Sequence, residues 1–221
     1  MRFSGALLAA AFSGLAAAAP TQACSLASGY RVPTNLELVD RADAIVLARV
    51  EDGGPWVMPN YTPDPSDPPL AKARLVPVAV LKGKALPGEI RFDDAILANA
   101  KIKATASDPR NLVDANPDAF FGGCNRYFFD KGMMLVVFLR REGNQMVADG
   151  SPFARTLEDV PSADALWVKA VKVYVKIAAL PRQARRKEMT HQRDMLASEI
   201  EDADSRLLAL ELTRALGEKR D

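Results

Sequence analysis

Two cysteines are the residues of this 221-residue chain whose types and spacing suggest chemistry most directly. Cys24 ends an alanine-rich apolar stretch, and Cys124 lies far along the chain. Two cysteines in an exported protein most simply pair with each other, because the compartment is oxidising. A bridge that closes a loop of about 100 residues would stabilise the fold by about 4–5 kcal/mol in the chain-entropy model. The alternative is a free reactive thiol, although neither cysteine has a CxxC partner and Arg126 is the one obvious basic neighbour.

Residues 1–23 predict export. Arg2 is followed by the apolar run GALLAAAFSGLAAAA and then by PTQA, with small residues at Thr21 and Ala23, which is the order of a cleavable signal peptide. Cleavage would make Cys24 the first residue of a secreted or periplasmic protein. Two alternatives remain open: the segment is retained as an apolar helix, or Cys24 is lipidated. Thr21 disfavours lipidation, because leucine usually stands three residues before a lipid-modified cysteine.

The charge balance restricts the class of partner. The full chain has 29 basic and 28 acidic side chains, and removing Arg2 with the signal peptide brings the charge to zero. A neutral chain has no electrostatic attraction for nucleic acid or for an anionic membrane. We therefore expect a protein partner, with no nucleic acid and with no membrane unless Cys24 carries a lipid.

The remaining polar residues do not indicate an enzyme. His191 is the single histidine, so a multi-histidine metal site is excluded, and its place on a charged predicted helix does not indicate a Ser-His-acid triad. The acid pairs Asp93 with Asp94 and Asp64 with Asp67 have no placed partners, and no glycine-rich phosphate loop is present. We expect no catalytic residues, no metal and no cofactor. A hydrolase built on carboxylates alone is the residual alternative.

The elements that must position these residues begin with a short helix and several strands. Thr34 and Glu37 have the spacing of a capping box and predict a helix over 35–42, followed by a strand in AIVLARV. Further strands are predicted at 73–81 and 89–92. Pro77 indicates that the first of these lies at an edge or contains a bulge.

The clearest hairpin and the helices follow. MMLVVFLR and QMVADG are predicted to pair through the turn REGN, whereas residues 94–119 show no period and predict a loop with at most one short element. After Pro161, apolar residues at helical spacing predict a helix capped by Ser162 and ended by Pro181. Two more helices should follow, the last of them ending at Gly217. The apolar stripe of the first helix consists of Trp167, Val171, Tyr174 and Ala178.

A proline-rich loop is the second candidate contact region. Six prolines fall between Pro55 and Pro69, so this stretch should be exposed and partly extended. Trp56 and Tyr61 stand among them, and aromatic residues on loops are frequent contact anchors. The loop is therefore either a recognition loop or a plain surface insertion.

The order of several short segments resembles a known family. The segments are AC at the signal-peptide junction, RADAIVLARV, VAVLKGKALPGEIRF and GGCNRYFFDKGMMLVVFL. They look like the tissue-inhibitor-of-metalloproteinases family, as found in exported bacterial proteins of unassigned function. The resemblance covers roughly 24–150 and implies a netrin-like OB-type antiparallel β-barrel whose mature N-terminal cysteine is bonded to a distant one. The predicted fold class is therefore α+β, with residues 24–155 forming this barrel and 156–221 forming a C-terminal helical segment.

The resemblance also implies a possible inhibitory edge at Cys24 and Ser25. In the animal inhibitors, the α-amine and carbonyl oxygen of the mature N-terminal cysteine bind the zinc of a protease. An α-amine with a pKa of about 7.7–8 becomes a neutral ligand at little cost in protonation. This chain departs from the family at Leu26, where a second cysteine is expected, so its terminus is anchored at one point instead of two.

Together these observations predict an exported binding or scaffolding module without catalytic activity, acting through protein–protein contacts. The alternative is a zinc metalloprotease inhibitor that uses Cys24 as its chelating group.

Overall fold

The computed structural model of the chain describes residues 28–57, 64, 66–84, 88–121 and 123–217. They form an α+β fold of one eight-stranded sheet and four helices, and three of the helices follow the last strand. The strands are β1 (Ala44–Pro55), β2 (Ala71–Lys82), β3 (Ile90–Arg91), β4 (Ile96–Leu97), β5 (Phe128–Phe129), β6 (Met134–Glu142), β7 (Gln145–Ala148) and β8 (Leu157–Asp159). The helices are α1 (Asn35–Arg41), α2 (Leu166–Ala178), α3 (Arg182–Ser198) and α4 (Ala203–Gly217), and a single 3₁₀ turn spans Pro117–Phe120.

The central strands β1 and β6 are buried on both faces. Ile45 and Leu47 of β1 face a core shared with α1 and α2, whereas Val46 and Val50 face a second core on the opposite side of the sheet. A strand covered on both faces reads as a nearly continuous apolar run instead of an alternating one. This explains why both AIVLARV and MLVVFL contain so few polar residues.

The sheet is open within the described residues, so the closed barrel expected from the sequence is not observed. Its strand order is β3-β7-β6-β1-β2-β4-β5, with β8 paired to β6, and among the described residues the terminal strands β3 and β5 do not pair with each other. The pairs β3–β7 and β4–β5 are parallel and the others are antiparallel. The stretch between β2 and β6 contributes only two-residue strands, which offer few hydrogen bonds for closure.

Several local predictions are confirmed. Thr34 and Glu37 form the capping box of α1, and β6 and β7 form the predicted hairpin, in which Glu142 pairs with Gln145. Gly143 in the turn has a φ of 58°, a conformation that glycine adopts without steric cost. The stretch 94–119 is mostly irregular, as predicted, and contains β4 and most of the 3₁₀ turn.

The start of α2 differs from the prediction. Ser162 does not cap the helix, because α2 begins after Ala165 and has no side-chain cap. The Ser162 hydroxyl instead accepts a hydrogen bond from the backbone N–H of Asp164 at 3.2 Å. The helix is stabilised mainly by burial, since seven of its residues are buried.

The helix α2 belongs to the main core. Trp167, Val171 and Tyr174 are each at most 3% exposed and pack with residues of α1 and β6. The Trp167 ring stacks against Phe138 of β6 with 6.2 Å between ring centroids. The C-terminal helices therefore share a core with the sheet. Among the described helices, none has the length and apolar character required to cross a bilayer.

An alanine substitution at Ile177 measures how much α2 contributes to folding. Ile177 is fully buried in α2, so the cavity left by Ile177→Ala should lower the free energy of unfolding by about 2–5 kcal/mol. The matched control is Ile200→Ala, at a position that is 64% exposed, where we expect a change within about 0.5 kcal/mol. Urea denaturation followed by circular dichroism compares the two. Equal effects would contradict a shared core.

Candidate binding surface

The predicted site residues are only partly within the described chain. Cys24, Ser25 and Tyr61 lie outside the described residues, so the inhibitory edge and half of the recognition loop remain predictions. Trp56 is half-buried directly after β1, and its backbone N–H donates to the carbonyl of Leu70 at 2.9 Å. No described cysteine is a free thiol. The pairing of Cys24 with Cys124 also remains a prediction.

The acidic residues and the histidine weighed as chemical candidates either have local partners or are exposed. Asp64 accepts hydrogen bonds from Ser66, Asp67 pairs with Lys101, and Asp93 pairs with Arg91 at 2.8 Å. The remaining two, Asp94 and His191, are exposed. Over the described ranges, no group of three or more His, Cys, Asp or Glu side chains is arranged to hold a metal ion.

The long connection between β4 and β5, residues 98–127, is anchored by a buried arginine. The Arg126 side chain is 2% exposed, and its Nη1 lies 2.6 Å from the Asp159 carboxylate. The same guanidinium donates to the backbone carbonyls of Thr105, Leu157 and Phe128 at 2.8–3.3 Å. Removing one partner from a buried ion pair typically costs about 3–5 kcal/mol, so this contact fixes the base of the connection firmly to β8.

A second buried group holds the middle of the same connection. The backbone N–H of Asn116 and the hydroxyl of Ser107 donate to the Glu158 carboxylate at 2.9 and 2.8 Å. The Asn116 amide donates in turn to the Thr105 carbonyl at 2.8 Å and to the Ser107 hydroxyl at 3.0 Å. The connection has little regular structure, and these side-chain bonds take the place of a backbone ladder.

Arg155 ties the next part of the connection to α2. It is 3% exposed, donates to the Asp114 carbonyl at 2.8 Å and lies 4.5 Å above the Trp167 ring. Burial lowers the pKa of the Arg155 guanidinium, while the nearby Glu158 carboxylate acts in the opposite direction. The backbone around Asp114 is therefore fixed to the core that contains α2.

The tip of this connection exposes three large apolar side chains, which we call the aromatic ridge: Val113, Phe120 and Phe121. They are 48%, 56% and 81% exposed, respectively. The Phe120 ring stacks on Phe153 at 5.1 Å between centroids, and this contact fixes the orientation of Phe120. Exposed apolar groups on a firmly held loop are typical of protein contact sites.

A cleft of about 520 Å³ lies beside the ridge. Its walls come from the chain before and within α1, from the ridge and from the helical hairpin formed by α3 and α4. The lining includes Val32, Leu36, Val113, Phe120, Phe153, Met189 and Ala215, with Arg31, Glu37 and Arg214 among the polar groups. Apolar walls with a few charged groups are the usual composition of a binding cleft.

The charged wall at α1 is organised by the capping box. The Glu37 carboxylate accepts from the Arg31 guanidinium at 2.7 Å and from the Thr34 backbone N–H at 2.7 Å. The hydrogen bonds from Arg31 are the largest cause of a Glu37 pKa of about 2, the bonds from Thr34 add to it, and burial opposes it. Glu37 is therefore ionised over the whole physiological range.

The wall formed by α4 contains a buried carboxylate. The side chain of Glu211 is 2% exposed and accepts from Arg214 Nε at 2.8 Å. It also accepts from the Asn35 amide at 2.6 Å and from the Tyr174 hydroxyl at 3.0 Å. One carboxylate thus joins α1, α2 and α4 behind the cleft.

The segment around Cys124 has an unusual backbone. Cys124 is 8% exposed and has a φ of 61°. At Gly123, an added Cβ would lie 1.9 Å from Cε2 of Tyr127, so the close approach of this ring requires glycine.

The aromatic ridge was not predicted from the sequence. Phe120 and Phe121 look like core residues until the buried contacts of Arg126 and Asn116 are known.

The comparisons with known proteins add no identity. No family model, no curated protein and no solved structure matches this chain.

Acid titration of Glu37→Gln tests the charged wall. The Glu37 pKa is lowered from 4.5 to about 2 in the folded state, so its stabilisation is present above pH 4.5 and is lost as the pH falls towards 2. The side chain is 41% exposed, and solvent screening limits the effect to about 1 kcal/mol or less. Glu37→Gln should therefore lower the melting temperature at pH 7 and lose less stability on acidification than the natural chain. Glu201→Gln, at an exposed turn position, is the control. A parallel pH profile for both variants would contradict the assignment.

Proposed function

We propose that this chain is an exported binding or scaffolding module without catalytic activity, and that it acts through protein–protein contacts at the aromatic ridge and the adjoining cleft. The observation that carries the proposal is the 81% exposure of Phe121 on a connection whose base is a buried ion pair. Among the described residues, a buried ion pair thus anchors a connection on which the Phe121 side chain stays exposed.

The rigidity of the ridge supports binding over a role as a plain surface loop. Ordering a loop on binding costs free energy, and a loop that is already ordered avoids that cost. Arg126, Asn116 and Arg155 each make buried hydrogen bonds within or to this connection. The tip is thus ordered before a partner arrives.

The partner we propose is a protein that presents apolar side chains. Two phenylalanines and a valine at the ridge favour apolar contact, and the chain without residues 1–23 has no net charge to attract nucleic acid. The proline-rich loop with Trp56 and Tyr61 is proposed as a further contact region.

We also infer that the sheet is of the netrin-like OB type and that Cys24 is bonded to Cys124. The path of the described chain supports this pairing. The Tyr30 hydroxyl donates to the carbonyl of Pro152 at 2.8 Å, and the adjoining Phe153 N–H donates to the carbonyl of Cys124 at 2.8 Å. Six residues extend up to about 20 Å, which is enough for the chain before Tyr30 to reach Cys124.

Site-specific photo-crosslinking tests the binding role of the ridge. A photoreactive phenylalanine analogue at position 121, in cells that naturally export the protein, should give discrete protein adducts, whereas the same analogue at Ile200 should give none. Ile200 is 64% exposed and provides a matched apolar control. Added unlabelled protein should compete with the photoreactive protein and so reduce adduct formation. A Phe121→Ser variant should compete about 30-fold less well than the natural chain, which is the loss typical of a binding hot spot.

Two outcomes would contradict the proposal. Equal labelling at both positions would show that Phe121 has no specific partner. Equal competition by Phe121→Ser would show that its ring does not contribute to affinity. Circular dichroism of Phe121→Ser should match the natural protein, because the side chain is exposed.

The second candidate is a zinc metalloprotease inhibitor. The observation that favours it is the position of the ridge, since Phe120 and Phe121 precede Cys124 by a few residues and would adjoin the inhibitory edge at Cys24 and Ser25. A free α-amine at Cys24 would replace the zinc-bound water of a protease, with the ridge providing apolar contacts beside it.

Intact-mass spectrometry and inhibition assays separate the two functions. A mature protein that starts at Cys24 and gains about two daltons on reduction contains one disulfide. Inhibition of zinc proteases by this form, and its loss when the α-amine is acetylated, would establish the inhibitor. A blocked or acylated Cys24 would exclude zinc chelation, and so would equal protease inhibition by the forms with a free and an acetylated α-amine. Either result would leave the proposal of a binding module intact.

A further inference from the structure

The basic side chains of this protein are unevenly distributed, although its net charge is only +1. Residues 169–187 contain seven lysine and arginine side chains and no aspartate or glutamate. Of the 29 basic and 28 acidic side chains of the whole chain, 22 and 28 therefore lie outside this segment. The small total conceals one strongly basic segment, which runs from α2 into α3.

The fold turns the lysines of α2 towards solvent. The apolar face of this helix, which includes Tyr174 and Ile177, is buried in the main core. Lys169, Lys172 and Lys176 follow one another at spacings of four residues or fewer, so they lie along one stripe of the helix. Lys172 and Lys176 are exposed. Because α2 contains no acidic residue, no opposite charge of its own accompanies this stripe.

The first turns of α3 continue the basic surface. Only residues 179–181 separate the end of α2 from Arg182, the first residue of α3. Arg182, Arg186 and Lys187 are all exposed. We use the name basic corner for the five exposed cations around the turn between the two helices: Lys172, Lys176, Arg182, Arg186 and Lys187.

Two cations of the segment are neutralised by close contact with acids. Lys169 Nζ lies 2.7 Å from the Asp204 carboxylate, and Arg185 Nη2 lies 3.0 Å from the Asp40 carboxylate. Neither cation belongs to the basic corner. In the part of the chain that the structure describes, no salt bridge joins the basic corner to an acid, including Glu188 directly after it. The basic corner therefore presents a local field of positive sign.

We propose that the basic corner binds the anionic surface of a lipid bilayer. Charge complementarity carries this assignment, because clusters of about four to eight lysine and arginine side chains on a helix are attracted to anionic headgroups. The ammonium group of a lysine is a point charge on a flexible stem, so it does not require a partner of fixed geometry. A layer of headgroups meets this condition. The predicted export signal brings the chain to a membrane and so favours lipid over nucleic acid as the anionic partner.

The net charge of the chain predicted no attraction to an anionic membrane, but a local cluster acts over a shorter range. At physiological salt the field of an exposed charge extends about 8 Å, so nearby headgroups respond to the basic corner and not to distant acids. The apolar face of α2 is already buried in the core, and the contact therefore depends on charge. It is independent of the proposed function, because the aromatic ridge lies on the connection 98–127.

Vesicle flotation of the exported protein tests this contact. Vesicles of phosphatidylcholine that contain about 30% phosphatidylglycerol are compared with vesicles of phosphatidylcholine alone, at about 0.15 M salt. The natural chain should bind the anionic vesicles at least about 25-fold more tightly, and about 1 M salt should release it. The ratio of the two affinities cancels any contribution from a lipid on Cys24, because an acyl chain inserts into both kinds of vesicle.

A pair of matched double variants locates the contact. Lys172→Gln combined with Lys176→Gln should weaken binding to anionic vesicles by about 25-fold, since each basic residue near the surface contributes about fivefold. The control combines Lys72→Gln, at the start of β2, with Lys131→Gln, in the turn before β6. Both control positions are exposed, and the control removes the same total charge. It should change the affinity by less than about twofold.

Several outcomes would overturn the proposal. Equal affinity for anionic and neutral vesicles would show that charge does not decide binding. Equal weakening by the two double variants would show that the total charge matters and the basic corner does not. A charge-preserving variant, Lys172→Arg with Lys176→Arg, should bind like the natural chain, and a loss as large as that of the glutamine variant would contradict a role for charge. Absence of binding to anionic vesicles would exclude lipid and leave an acidic protein as the partner of the basic corner. Circular dichroism should be unchanged in all variants, because the substituted side chains are exposed.

Discussion

The ion pair between Arg126 and Asp159 is the contact on which the candidate surface depends. It joins the irregular connection between β4 and β5 to β8, and β8 in turn pairs with the central strand β6. A buried guanidinium is costly unless its donors are satisfied, and the backbone carbonyls of Thr105, Leu157 and Phe128 accept the rest. The result is a long connection tied to β8 by several buried hydrogen bonds, although its described residues have almost no backbone ladder of their own.

The position of β1 and β6 explains why this arrangement is stable. These strands are buried on both faces: α1 and α2 cover the sheet on one side, and a second apolar core that includes Ile90, Ala95 and Phe129 lies on the other. Glu158 and Asp159 of β8 thus lie next to the most buried part of the molecule, where carboxylates require several donors. Ser107, Asn116 and Arg126 provide these donors, and all three lie on the connection that carries the ridge.

Much of the fold could be predicted because the signals are local. The capping box of Thr34 and Glu37, the hairpin around Gly143 and the bulge at Pro77 each depend on a few neighbouring residues. Closure of a barrel is not local, since it requires distant strands of sufficient length to pair. The short strands β3, β4 and β5 leave the sheet open in the described part of the chain, and the closed barrel that the resemblance implies was not observed.

The sequence by itself determined the predicted export signal, the small net charge of +1 and the order of most strands and helices, because composition and periodicity can be read from the chain without its fold. It also indicated Cys124 and Trp56 as candidate functional residues, but it did not show which residues surround them in the fold. Only the tertiary structure decided that Phe120 and Phe121 are exposed, while Arg126, Glu158 and Glu211 are buried. Hydropathy ranks these residues in the opposite order. Burial depends on which donors and acceptors the fold brings together from distant positions, and that information is absent from any single stretch of sequence.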